Sequence, residues 1–270
     1  MQAEAARDCH VVYQSVFVVG AQEGEARGES SMRGWRVSLL RRVCYLAAVR
    51  GQECPRHNGQ SRLRYPSDMS SRRLPVADGA LIQIVDAALA DAARRSGEWL
   101  VCRPGCTQCC MGVFAINRLD AVRLQQGLAD LEKTDPQRAG RIRERARASI
   151  GRLSAEFPGN PKTGVLDESP EAEERFTEFA NDEACPVLDP DTGLCDLYDA
   201  RPMMCRTFGP PVRAEGGLGV CELCFHGATN EQIAACEMVV DPDDLEAKLL
   251  AKLEKTQGPR GRTIVAYCVK

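Results

Sequence analysis

Nine cysteines define the chemistry available to this chain. Cys102, Cys106, Cys109 and Cys110 fall within nine residues, in the run Cys-Arg-Pro-Gly-Cys-Thr-Gln-Cys-Cys. Five more follow at Cys185, Cys195, Cys205, Cys221 and Cys224. A free cysteine packs as a small hydrophobe, but core packing gives no reason to set two side by side in a Gly/Pro loop. Thiolates are soft ligands that select zinc, copper(I) or iron–sulfur clusters. The pattern reads as a thiolate-rich metal site. Structural zinc takes four ligands, and common iron–sulfur clusters take four thiolates. Nine candidates exceed one mononuclear site, so two metal sites, or one polynuclear cluster with bridging sulfur, are expected. The spacing leaves zinc and iron both open.

Two pairs, Cys106-Thr-Gln-Cys109 and Cys221-Glu-Leu-Cys224, have the spacing of a metal knuckle, in which both sulfurs converge on one ion. Cys109 and Cys110 are neighbours. Adjacent side chains of an extended segment point to opposite sides, so this pair is expected to serve two ions or a bridge. Several thiolates around one or two divalent ions leave net negative charge. Arg103, Arg201 and Arg206 flank the cysteines and are candidates to offset it, the alternative being surface or carboxylate-paired side chains. His226 reads as a surface or capping histidine more readily than as a ligand, Tyr198 as a half-buried core tyrosine, Cys236 as core and Cys268 as a free thiol. No acid–base pair, Walker loop, dinucleotide-binding glycine motif or nucleophile elbow stands out.

These residues must be held by the elements around them. The chain has 270 residues, enough for one large or two small domains, and a formal net charge of −3. No Lys/Arg block makes nucleic acid an expected partner. No run approaches the roughly 18 apolar residues of a membrane-spanning helix. Val11–Val19 is short, broken by Gln14 and Ser15 and preceded by acidic residues, unlike a secretory signal. The thiols are therefore expected in a reducing cytosol, where such patterns bind metal or catalyse, and metal ions are the expected partners. Residues 1–68 lack lysine and clear amphipathic period. They read as a disordered or over-extended N-terminal segment, so Cys9, Cys44, Cys54, His10 and His57 are discounted as ligands. Residues 69–270 read as the cysteine-cluster domain, with its motif core at 100–225.

Within that domain, Val76, Ala80, Leu81, Ile84, Val85, Ala88, Leu89 and Ala92 form one helical stripe that stops at Gly97. Asn117 is an N-cap for a second helix and Pro136 opens a third, whose alternating arginines (Arg141, Arg143, Arg145, Arg147, Arg152) mostly face solvent. Residues 158–170 read as a loop or linker and Glu171–Phe179 as a short helix. Thr229 and Gln232 form a capping box. Leu245, Leu249, Leu250 and Leu253 mark a last helix, and Thr263–Tyr267 a terminal strand. The fold class is mainly α: a small helical domain with irregular cysteine-rich loops organised around a metal site.

The first cysteine run resembles the signature of the YkgJ-like cysteine-cluster family, a zinc- or iron-chelating domain named for its Cys-x-x-Cys-x-x-Cys-Cys motif. Cys185-Pro-Val-Leu, followed by Cys195-Asp-Leu-Tyr198-Asp-Ala-Arg201-Pro202-Met-Met-Cys205-Arg206, is similar to that family's second segment. The resemblance covers roughly Leu100–Phe225. It implies a zinc or iron cofactor, an iron–sulfur cluster included, and implies no particular reaction. One spacing departs from the pattern: Cys102 and Cys106 are separated by three residues rather than two, with the extra residue in a Pro-Gly turn, so Cys102 is the ligand most exposed to displacement. Flagellin lysine N-methylases carry a similar cluster. A metal-dependent protein methyltransferase, or a metal-delivery protein, therefore stands as the alternative to a metal site that mainly holds the fold.

Overall fold

The computed structural model describes residues 17–19, 74–214, 217–258 and 261–270. In chain order its elements are β1 (Phe17–Val19), α1 (Asp78–Ser96), α2 (Arg118–Thr134), α3 (Pro136–Leu153), β2 (Gly159–Asn160), β3 (Val165–Leu166), α4 (Pro170–Glu178), α5 (Met203–Thr207), β4 (Val212–Ala214), β5 (Gly217–Val220), α6 (Asn230–Ala235), α7 (Leu245–Gln257) and α8 (Val265–Cys268). The architecture is mainly α. β5 is the middle strand of a three-stranded antiparallel sheet, with β1 on one side and β4 on the other, in the registers Phe17↔Val220 and Val212↔Gly219. Apart from β1, the expectation for residues 1–68 lies outside the described residues.

Local chemistry starts most of the longer helices. Asn117 Oδ1 accepts the Asp120 amide at 3.1 Å and opens α2. Asp135 Oδ1 accepts the Arg138 amide at 2.9 Å, with Pro136 in the first turn of α3. Thr229 and Gln232 form the reciprocal capping box of α6. Each satisfies backbone donors that a helix start leaves orphaned. α1 ends at Gly97, whose φ of 50° suits glycine.

α2 packs against α3 and α8 around Ile116, Leu124, Leu128, Ile142 and Val269. α1 and α7 close a second core with Leu119 and Met203. A third, aromatic core joins Phe157, Phe176, Phe179 and Tyr267. Three expectations are corrected. The buried face of α1 runs through Leu81, Val85 and Ala92, whereas Ile84 is 43 % exposed and Val76 lies ahead of the helix in solvent. Thr263–Tyr267 is not a strand: Thr263 makes one bridge to Ile116, and the chain then turns into α8, which is buried along its length. Residues 158–170 are not a free linker. They hold the β2–β3 hairpin, tied down by Tyr267 Oη donating to the Pro161 carbonyl at 2.7 Å and by Leu166 N–H donating to Arg262 at 2.9 Å.

The helices are joined by a buried ionic network. Arg123 bonds Asp78 and Asp120, each at 2.6 Å, and all three side chains are at most 6 % exposed. Asp120 Oδ1 also accepts the Met203 amide at 2.9 Å. One carboxylate therefore ties α1 and α2 to the first residue of α5. Burial pushes the Asp120 carboxyl up, against the opposing pull of the Arg123 charge. Removing Arg123 alone leaves two buried carboxylates without their cation. Arg123→Ala is expected to cost about 3–5 kcal/mol, read as a lower urea midpoint at unchanged slope. A loss under about 1 kcal/mol would mean the network does not hold these helices together.

Candidate metal centre

The first cysteine run is an irregular loop with one 3₁₀ turn over Gln108–Cys110. Gly105 and Gly112 take φ values of 90° and 74°, which break any helix through it. Its far half lies against the second stretch: Cys185 N–H donates to the Cys110 carbonyl at 2.7 Å, Gly112 N–H donates to Glu183 at 2.9 Å, and Met111 bridges Ala184. A further bridge between Leu188 and Cys195 folds that second stretch back on itself. Cys205 sits on α5, where its amide bonds the Pro202 carbonyl. The near half of the loop meets the third stretch, where Phe225 N–H donates to the Trp99 carbonyl at 2.9 Å. Gln108 Nε2 donates to Glu222 Oε1 at 2.5 Å and links the two regions.

Backbone amides are aimed at several of the sulfurs. Cys185 accepts from Val187, Cys195 from Leu197, Cys221 from Leu223, and Cys224 from Val101 and Cys102. The donor two residues ahead recurs at Cys185, Cys195 and Cys221. Hydrogen bonds of this kind favour the charged thiolate. Burial acts the other way: it pushes the Cys185 thiol up to about 12 and Cys195 and Cys205 upward too. A thiol donated by Cys102, joined by Cys221, holds Cys224 far below the ordinary thiol range. The hydrogen bond from Cys110 likewise lowers Cys109, to about 7. Their partners Cys102, Cys110 and Cys221 are pushed up in turn, so most of these sulfurs are held as neutral thiols, and cation binding to them would displace protons.

The vicinal pair is arranged differently from the expectation. The 3₁₀ turn brings Cys109 Sγ and Cys110 Sγ to 4.0 Å instead of turning them to opposite sides. A tetrahedral zinc with bonds of about 2.3 Å spaces its sulfurs by about 3.8 Å, so both can face one ion. The flanking arginines divide. Arg206, 1 % exposed, bonds both oxygens of Asp86 at 2.7 and 2.9 Å and donates to the Arg201 and Asp199 carbonyls. Arg201 lies 3.8 Å from the ring centre of Tyr198, which is 59 % exposed rather than core, and its charge lowers both Cys109 and Cys195. Arg103 is exposed, as is His226. Among the α3 arginines, Arg145 turns inward with Arg138 to hold Asp196, next to Cys195. Cys236 and Cys268 are buried in apolar cores.

None of the eleven described cysteines is in a disulfide. Among the described residues, no three Cys, His, Asp or Glu side chains are already closed into a ligand set. The donors fit zinc or iron by type, since the candidate ligands on all three stretches are cysteine sulfurs. Residues 101–225 match the family model CxxCxxCC, described as "Putative zinc- or iron-chelating domain". The match spans 125 of the 270 residues. No curated protein and no solved structure matches the chain. The match begins one residue before Cys102, and so takes in all nine cysteines despite the three-residue spacing. Among the described residues, no helix is long and apolar enough to cross a membrane.

Sequence reasoning missed several residues that position the cysteines. Asp120 and Asp86 position α5 from outside the cysteine runs, and nothing in their own neighbourhood marks them. Gly209 had a readable signal, since it begins the Gly-Pro-Pro that follows α5. Its φ is 118°, and a Cβ there would stand 2.9 Å from Cys102 Sγ. Gly209→Ala is expected to combine backbone strain of about 1–3 kcal/mol with displacement of Cys102. The measurement is melting temperature with zinc added and with zinc chelated. A variant that melts lower and gains less from zinc than the parent bears this out; an equal gain from zinc would separate Gly209 from the metal.

Proposed function

We propose that this CxxCxxCC domain binds zinc or iron through a composite thiolate site made of Cys102, Cys106, Cys109, Cys110, Cys185, Cys195, Cys205, Cys221 and Cys224, and that the bound metal mainly holds the fold. One observation carries the reading: three separate cysteine-bearing stretches are brought together by backbone hydrogen bonds that leave their thiols free and point amides at the sulfurs. A bound cation supplies the positive charge that these converging thiolates lack. Arg201 contributes one charge beside Cys109 and Cys195, far short of nine thiolates. A reducing compartment such as the cytosol keeps the thiols available.

The chain around the cysteines supports a structural role. Between Phe179 and Val220 the regular elements are α5, β4 and most of β5, all short. Loops of this kind cannot hold a fixed geometry by their own hydrogen bonding, and a metal that closes them contributes its binding free energy to folding.

Anaerobic purification followed by elemental analysis and a visible spectrum tests the metal. Stoichiometric zinc without colour, or iron with inorganic sulfide and brown colour, is the expected result; a protein that retains and takes up neither metal would overturn the reading. For the structural role, verified metal removal by a strong chelator is expected to open the cysteine-bearing loops at 101–112 and 182–225 to proteolysis while α1, α2 and α3 keep their helical circular dichroism. Unchanged protease resistance in the metal-free protein would sink it.

A further inference from the structure

We infer that Arg145 is a positioning residue of the metal site: its single guanidinium grips the residue after Cys185 and the residue after Cys195, and so sets the spacing of that cysteine pair. This rests on the metal-binding reading above and deepens it, because it assigns part of the site's geometry to α3, which carries no cysteine.

The contacts are specific. Arg145 Nε donates to the Pro186 carbonyl at 2.8 Å, and its Nη2 donates to Asp196 Oδ2 at 2.6 Å. Pro186 follows Cys185, and Asp196 follows Cys195. Each cysteine is therefore one peptide link from a group held by the same side chain. The other oxygen of Asp196 accepts from Arg138 Nε at 2.5 Å. Arg138 and Arg145 lie seven residues apart, on one face of α3. Both carboxylate oxygens are engaged and the Asp196 side chain is 1 % exposed, so Asp196 acts on the site through the chain rather than as a ligand. A carboxylate this buried is costly to leave unpaired, which keeps it seated between the two arginines.

The backbone of the stretch supplies the rest of the frame. The Asp196 amide bonds the Val187 carbonyl at 2.8 Å, the Leu188 amide the Cys185 carbonyl at 3.0 Å, and the Asp189 amide the Leu194 carbonyl at 2.9 Å. Leu188 bridges Cys195 across the turn between them. These bonds run within the stretch, and the two arginines tie it to α3. Beneath it, Val187 and Leu197 share an apolar core with Ile142 and Ala146 of α3. Apolar contact holds the stretch on the helix but is not directional. A planar guanidinium donating along two fixed directions is, and lysine offers only a point charge in its place.

The test uses the full chain loaded with zinc, or with iron if it takes up iron alone. Metal affinity is read by competition with a chelator, and the alkylation rate of each cysteine by mass spectrometry. Arg145→Lys is expected to bind the metal about 10–100-fold more weakly, the usual effect of losing an outer partner of metal ligands. In the loaded variant Cys185 and Cys195 are expected to be alkylated faster by a similar factor, while Cys236 and Cys268 keep the parent's rate. These two thiols are buried in apolar cores and report general loosening. Glu132→Gln, which breaks the Arg143 ion pair of the same helix, is expected to leave affinity and all rates unchanged. If Arg145→Lys does not fold, Arg138→Met decides by the same readings, at a side chain that is 36 % exposed. Unchanged affinity in the folded variant would overturn the positioning role. So would labelling in which Cys236 and Cys268 accelerate as much as Cys185 and Cys195, or an equal loss of affinity in Glu132→Gln. A parent chain that takes up neither zinc nor iron would instead overturn the metal-binding reading, and this inference with it.

Discussion

The buried carboxylate of Asp120 is the point on which the geometry of the cysteine region depends. It is neutralised by Arg123, which also holds Asp78 on α1, and the same oxygen accepts the first amide of α5. A carboxylate this buried costs several kcal/mol in desolvation unless it is fully paired, so its two partners, Arg123 and the Met203 amide, are held to one arrangement. α5 is only five residues long, too short to be stable alone. Asp120 sets its start from one side, and the Arg206–Asp86 pair anchors its far turn to α1 from the other. Cys205 lies between these two anchors.

This explains which features were legible in the sequence. Helix starts are local, and Asn117, Pro136 and the Thr229–Gln232 box signal them through residues at fixed offsets. The thiol pattern was legible because cysteine is rarely placed for packing in a Gly/Pro loop. Asp120 and Asp86 were not, since their partners lie on other elements and an aspartate on a helix surface looks the same before folding. The strand expected at Thr263–Tyr267 failed for a related reason. A short apolar run does not announce its own period, and burial between α2 and α3 made it a helical turn.

The vicinal pair shows how local geometry redirects a chemical inference. Two side chains that diverge in extended backbone converge when the backbone tightens into a 3₁₀ turn, and Gly105 and Gly112 allow that turn by breaking the chain direction on each side. The pair then no longer requires two ions by itself. In the proposed function, ligand number still favours more than one ion, because nine thiols exceed the capacity of one mononuclear site.

Scaffold and loops therefore draw on different sources of stability. The helices are built by apolar cores and by ion pairs that need no metal. The loops from Leu100 to Gly112 and from Asp182 to Ala200 instead satisfy their backbone against each other, and some of their amides end on sulfur rather than on oxygen. An amide on a neutral thiol gains little, while the same amide on a metal-bound thiolate is a charge-assisted bond. On the proposed reading, a cation shared among the sulfurs lets them carry negative charge at neutral pH, and the hydrogen bonds that orient them then reach full strength.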